Sequence, residues 1–83
     1  MSMPVTVYTK TVCPQCIATK RRLDKLGVPY TEINIEHDEE AYKRVVEMGF
    51  SAAPVVVAGD DAWSGFRHER LGALAKDASA NAA

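Results

Sequence analysis

Cys13 and Cys16 are the only cysteines in the chain, and they stand three apart in Cys13-Pro14-Gln15-Cys16. A bridge across so short a loop constrains the unfolded chain little, because the entropic gain grows with loop length. The spacing therefore points to chemistry rather than to a staple. Two neighbouring thiols can exchange with a partner disulfide: one attacks, and the other resolves the mixed disulfide. Other uses of the pair compete. Two buried structural cysteines would fit poorly beside Pro14, at the junction of a loop and a helix. A zinc site within one chain needs two further ligands. His37 and His68 are far from the H-x₃₋₅-H spacing of zinc ligands, and both are expected to be solvated. An iron–sulfur cluster shared between two chains stays open, although nothing in the sequence asks for it.

Thiol chemistry depends on what positions the thiols. Val5-Thr6-Val7-Tyr8 is β-branched and aromatic and predicts a first strand. Lys10-Thr11-Val12 is a short loop. Pro14 then suits the first position of a helix, where a missing N–H costs nothing. A C-x-x-C placed after a strand and opening a helix is the context of a redox motif. Free N–H groups and the positive dipole end of the helix stabilise a thiolate there. Cys13, at the cap, is expected to be exposed and to attack. Cys16, one turn in, is expected to be shielded and to resolve. Lys10 would add positive charge near Cys13.

Helical spacing continues through Thr19, Lys20, Leu23 and Leu26, and Gly27 ends the helix with Pro29 beyond it. Thr31 to Glu36 alternates and predicts a second strand with Ile33 and Ile35 on one face. Asp38 caps a second helix, whose first turn carries Glu39 and Glu40 and whose apolar stripe is Ala41, Tyr42, Val45 and Val46. Val55-Val56-Val57 is an apolar run suited to a strand buried on both faces. Gly59-Asp60 signals a hairpin, with Ala62-Trp63-Ser64 as the return strand. A last helix is expected from about Arg67 to Lys76. The order is β-α-β-α-β-β-α, an α/β domain. Strands 1 and 2 are parallel by right-handed crossover, and strands 3 and 4 form a hairpin. Residues 1–77 form one domain, and 78–83 are a frayed tail.

Two further segments stand out. Pro54 opens the third strand, and base rates for X–Pro bonds favour the trans form there. Trp63-Ser64-Gly65-Phe66-Arg67 places two aromatics, two small residues and an arginine around a strand end. That composition suits core packing and a partner-docking surface equally.

Composition excludes several classes. The 83 residues are 47% hydrophobic and 25% charged, an ordinary globular balance for one domain. A net charge of −1 gives no general attraction to nucleic acid or membrane. No apolar run reaches the length of a membrane helix. Met1-Ser2-Met3-Pro4 has neither the basic nor the apolar region of a signal peptide. A cytoplasmic monomer is expected.

Val7-Tyr8-Thr9-Lys10, Cys13-Pro14-Gln15-Cys16, Ala53-Pro54-Val55-Val56-Val57-Ala58-Gly59-Asp60 and Trp63-Ser64-Gly65-Phe66-Arg67 together resemble the NrdH-type redoxins, from about residue 4 to 76. The resemblance implies a thioredoxin/glutaredoxin-like fold, a mixed four-stranded sheet of order 2-1-3-4 flanked by three helices. It implies that the Ala53–Pro54 bond is cis, and that backbone near Ala53 is open to an extended peptide. It implies a dithiol electron donor to the catalytic subunit of class Ib ribonucleotide reductase. Recycling would come from thioredoxin reductase, whose NADPH and FAD belong to that partner; no cofactor is bound by the redoxin itself. Lys10, Val12, Gln15, Ala53, Pro54, Trp63, Ser64, Gly65, Phe66 and Arg67 would meet substrate or partner, with the Trp63–Arg67 segment also supporting the loop before strand 3. The alternative is a glutaredoxin or mycoredoxin that depends on glutathione or mycothiol. Pro14 is a departure from the family pattern: many NrdH-type members carry Val there, and Pro stands there in glutaredoxins. A further departure is His68-Glu69 after Arg67, where Pro-Asp is usual.

Overall fold

Val5–Thr9 forms β1, one of the two inner strands of the sheet. It runs parallel to β2 (Thr31–Asn34), pairing Tyr8 with Ile33. On its other side it is antiparallel to β3 (Val55–Ala58), pairing Val7 with Val56. β3 turns into β4 (Asp61–Ser64), giving the expected order β2-β1-β3-β4. Three helices, α1 (Pro14–Leu26), α2 (Glu39–Glu47) and α3 (His68–Asn81), complete the β-α-β-α-β-β-α sequence. This is a computed structural model that describes the backbone of residues 4–81 and the side chains of residues 4–75.

Alternation along the strands divides the core between the two faces of the sheet. One face carries Val5, Val7, Val56, Ala58 and Trp63, packed with Leu23, Val28, Leu71 and Leu74. The other carries Tyr8 and Val55, packed with Ile35, Ala41 and Val45. The second cluster is smaller because α2 buries only Ala41 and Val45. Tyr42 and Val46, expected in the same stripe, are about half exposed. A helix of nine residues offers little more than two turns, and one i,i+4 pair fills its contact.

Local signals set the element ends. The Cys13 side chain caps α1. Gly27 closes it in the left-handed region at φ 73°. Gly27 N–H donates to Asp24 C=O and Val28 N–H to Leu23 C=O, while Leu23 and Val28 share the core. That is a Schellman end with its apolar contact. Asp38 Oδ1 accepts from Ala41 N–H at 3.0 Å and starts α2 as expected. β2 stops two residues short of Glu36, because Asn34 Oδ1 takes the Glu36 N–H at 2.9 Å and bends the chain. The last helix begins at His68 and continues five residues past Lys76 to Asn81. Of the tail expected at 78–83, residues 82 and 83 lie outside the described residues. No helix among the described residues is long and apolar enough to cross a membrane.

Candidate active site

The cysteines occupy the start of α1, as the motif requires. Cys13 has extended backbone (φ −154°, ψ 91°), and Pro14 takes the first helical position. The two side chains form a disulfide with their Cα atoms 5.1 Å apart. Cys16 N–H donates to Cys13 Sγ at 3.1 Å. A helix N-terminal donor thus lies on Cys13 Sγ, an arrangement that would favour a thiolate there once the bond is reduced.

Cys13 is more enclosed than its position in the sequence implied. It is 6% exposed, against 2% for Cys16. A cap residue is open by local geometry, but here its sulfur folds back over the first turn toward Cys16. The expected asymmetry keeps its direction and loses most of its size. Val12, the residue before Cys13, is 85% exposed.

Three loops converge around this helix start. The Ala53–Pro54 peptide is cis, against the base rate and in line with the resemblance. Pro54 is buried and Ala53 half-buried. Pro54 C=O accepts from Gly65 N–H at 2.8 Å. Ser64 Oγ donates to Ala52 C=O at 3.0 Å. Phe66 N–H donates to Gln15 Oε1 at 3.3 Å, joining the middle of the cysteine motif to the loop after β4. Arg67 Nε donates to Ser64 C=O at 3.3 Å and closes that loop on itself. Gly65 sits at φ 88°, which favours glycine. Gln15, Pro54, Ser64, Gly65, Phe66 and Arg67 are therefore brought together, and the Trp63–Arg67 segment supports the loop before β3 as expected.

Trp63 and Phe66 separate. Trp63 is 5% exposed and belongs to the core, with Arg70 stacked 5.2 Å above its ring and paired with Asp61 at 2.9 Å. That corrects its place among the surface residues: alternation along β4 turns it inward. Phe66, past the strand end, is 37% exposed and packs edge-on against His68.

Lys10 is exposed, and its charge bears on Glu36. Glu36 and Asn34 belong to this surface too, although nothing in the motif analysis marked them. Thr11 N–H donates to Glu36 Oε1, and Asn34 Nδ2 donates to Thr11 Oγ1 at 3.4 Å. The Thr11 backbone bond, helped by the charges of His37 and Lys10, holds the Glu36 carboxyl below the usual carboxylate range. The one sequence signal was Asn34-x-Glu36, two polar side chains at a strand end. No group of three or more His, Cys, Asp or Glu side chains among the described residues could hold a metal.

Known proteins agree with this geometry. The glutaredoxin family model matches residues 5–63. The glutaredoxin-like protein NrdH of Lactococcus lactis subsp. cremoris is 46% identical over 71 residues, covering 86% of this chain and 99% of the relative. NrdH of Escherichia coli is 42% identical over 72 residues, covering 87% and 89%. The solved structure of E. coli NrdH-redoxin, a glutaredoxin-like protein with a thioredoxin-like activity profile, superposes with a TM-score of 0.84 over 87% of this chain and 95% of that one. The chain belongs to the glutaredoxin family and, within it, to the NrdH-type redoxins, thiol–disulfide oxidoreductases whose redox-active pair is here Cys13 and Cys16.

Proposed function

We propose that this redoxin is a cytoplasmic dithiol donor, recharged by thioredoxin reductase, that delivers two electrons to the catalytic subunit of class Ib ribonucleotide reductase. The observation that carries the dithiol step is the donation of Cys16 N–H to Cys13 Sγ at the helix start. In the reduced protein the Cys13 thiolate attacks one sulfur of the substrate disulfide. The other substrate sulfur leaves as a thiolate and takes a proton. Cys16, deprotonated, then attacks Cys13 Sγ and expels the second substrate sulfur, which is protonated in turn. The substrate disulfide has become two thiols, and Cys13–Cys16 has become a disulfide. An extended substrate segment would lie along the backbone near Ala53 and Pro54, with Lys10, Val12, Gln15 and Phe66 around it. This chemistry runs on the protein's own thiols, so no bound cofactor is assigned.

Support for the reductant comes from likeness to the E. coli protein and its thioredoxin-like activity profile, and from exposed Phe66 on the loop joined to Gln15. The competing dependence on glutathione or mycothiol draws on the glutaredoxin family match and on Pro14. NADPH oxidation with a protein disulfide as acceptor separates the two. The expected result is turnover with thioredoxin reductase and background rates with glutathione and glutathione reductase. Turnover only with glutathione would assign the chain to the glutaredoxins in activity as well as in fold.

A further inference from the structure

The loop Lys10–Val12 leads directly into Cys13, yet no strand or helix holds it. What holds it comes from 25 residues away. Thr11 N–H donates to Glu36 Oε1. Thr11 Oγ1 accepts from Asn34 Nδ2 at 3.4 Å. Asn34 Oδ1 accepts from Glu36 N–H at 2.9 Å, which ties the Asn34 donor and the Glu36 acceptor together in one turn. Ile35 N–H donates to Thr9 C=O at 2.9 Å and carries the strand pairing up to the loop. The ring of bonds closes on the backbone two residues before the disulfide. The residue between the clamp and Cys13 is Val12, the most exposed large hydrophobic side chain described.

We propose that Glu36 is a positioning residue for thiol–disulfide exchange: its carboxylate fixes the Thr11 backbone, and thereby presents Val12 beside Cys13 as a preformed contact for a protein substrate. The proposal deepens the function above, resting on Cys13 as the attacking thiol but on neither named partner. A freed loop would have to be ordered again each time a protein substrate docks, and that cost falls on binding. The sulfur itself is held by Cys16 N–H, which the clamp does not touch. The loss should therefore appear in KM and not in kcat. One net hydrogen bond sets the scale at roughly a three- to tenfold change.

Insulin, reduced by the redoxin under a constant supply of dithiothreitol, is the probe, with the rate of the reductant alone subtracted. Glu36→Ala should raise KM roughly three- to tenfold and hold kcat within about twofold. Glu36→Gln keeps an oxygen acceptor and should restore KM; a Gln variant as impaired as the Ala variant would mean that charge, not the bond, is what counts, and would overturn the proposal. A fall in kcat at unchanged KM would overturn it as well. Amide hydrogen exchange at Thr11 gives the direct readout. Protection lost in the Ala variant while KM stays at the wild-type value would show that the clamp has no bearing on docking. A Cys13→Ser control separates the two levels: turnover surviving in it would remove the attacking role of Cys13 and the proposal with it, whereas background turnover in it beside a wild-type Glu36→Ala would remove the proposal alone.

Discussion

The body of this redoxin and the crown of loops above it are stabilised in different ways. The body is built on apolar burial: Leu23, Leu71, Val7 and Val56 are fully buried between the sheet, α1 and α3. The crown, made of residues 10–12, 51–54 and 64–67, is held by side-chain and backbone hydrogen bonds, most of them exposed: Ser64 to Ala52, Phe66 to Gln15, Thr11 to Glu36. The two meet at the start of α1, where the cysteines are buried by the body and reached through the crown. Apolar burial contributes about 25 cal/mol per Å², while a single exposed hydrogen bond contributes about 1 kcal/mol or less. The body therefore fixes where the sulfurs are, and the crown can vary its partners at little cost to the fold.

The largest effect that separates the regions is expected from two aromatics three residues apart. Trp63→Ala should lower unfolding free energy by about 3–5 kcal/mol, the usual cost of deleting a buried large aromatic, read from urea denaturation of the oxidised protein. Phe66→Ala should cost about 1 kcal/mol or less, while the thioredoxin reductase-coupled rate falls several-fold. Equal stability losses would erase the distinction between body and crown.

Gly65→Ala tests the crown's backbone. An added Cβ would meet Gln15 Oε1 at 3.6 Å, an ordinary contact, so the penalty arises from φ 88°. A cost of about 1–2 kcal/mol is expected, together with a lower coupled rate, because the Gly65 bond to Pro54 would shift. Full activity at reduced stability would mean that the loop tolerates movement.

The smallest effect concerns pH. The hydrogen bond from Lys20 holds the Glu32 carboxyl below the usual carboxylate range, with Thr9 assisting. A folded-state value below the unfolded one gives stability that is present above the ordinary carboxylate range and is lost as pH falls through the folded value. The pair is largely solvated, with side chains 30% and 40% exposed, so its contribution should stay below about 1 kcal/mol. Urea midpoints of wild type and Glu32→Gln should differ slightly at neutral pH and converge in acid. A gap that widens in acid would reverse the sign.

Body and crown also differed in how far the sequence revealed them. Strand alternation, the Asp38 cap and the Gly27 end are local signals, and each placed an element correctly. Gly59-Asp60 gave the hairpin, with Gly59 at φ 60° in the first loop position. The crown depends on contacts between distant residues. The cis form of Ala53–Pro54 came from resemblance, because the local energy difference between X–Pro isomers is too small to decide it. The enclosure of Cys13 follows from the fold around the helix start, which a cap position cannot foretell. The Thr11–Glu36 bond spans 25 residues, and no periodicity reports such a pair. Tyr42 and Val46 show the opposite failure, since an apolar pattern marks a face without showing how wide its contact is.

The division of labour between the two sulfurs is the central claim, and one variant tests it most directly. Reduced Cys16→Ser should react with a protein disulfide, stop at a mixed disulfide that peptide mapping locates at Cys13, and show turnover at background. Sustained turnover without that adduct would show that Cys13 works alone, with a small thiol doing the resolving, and would contradict a dithiol mechanism.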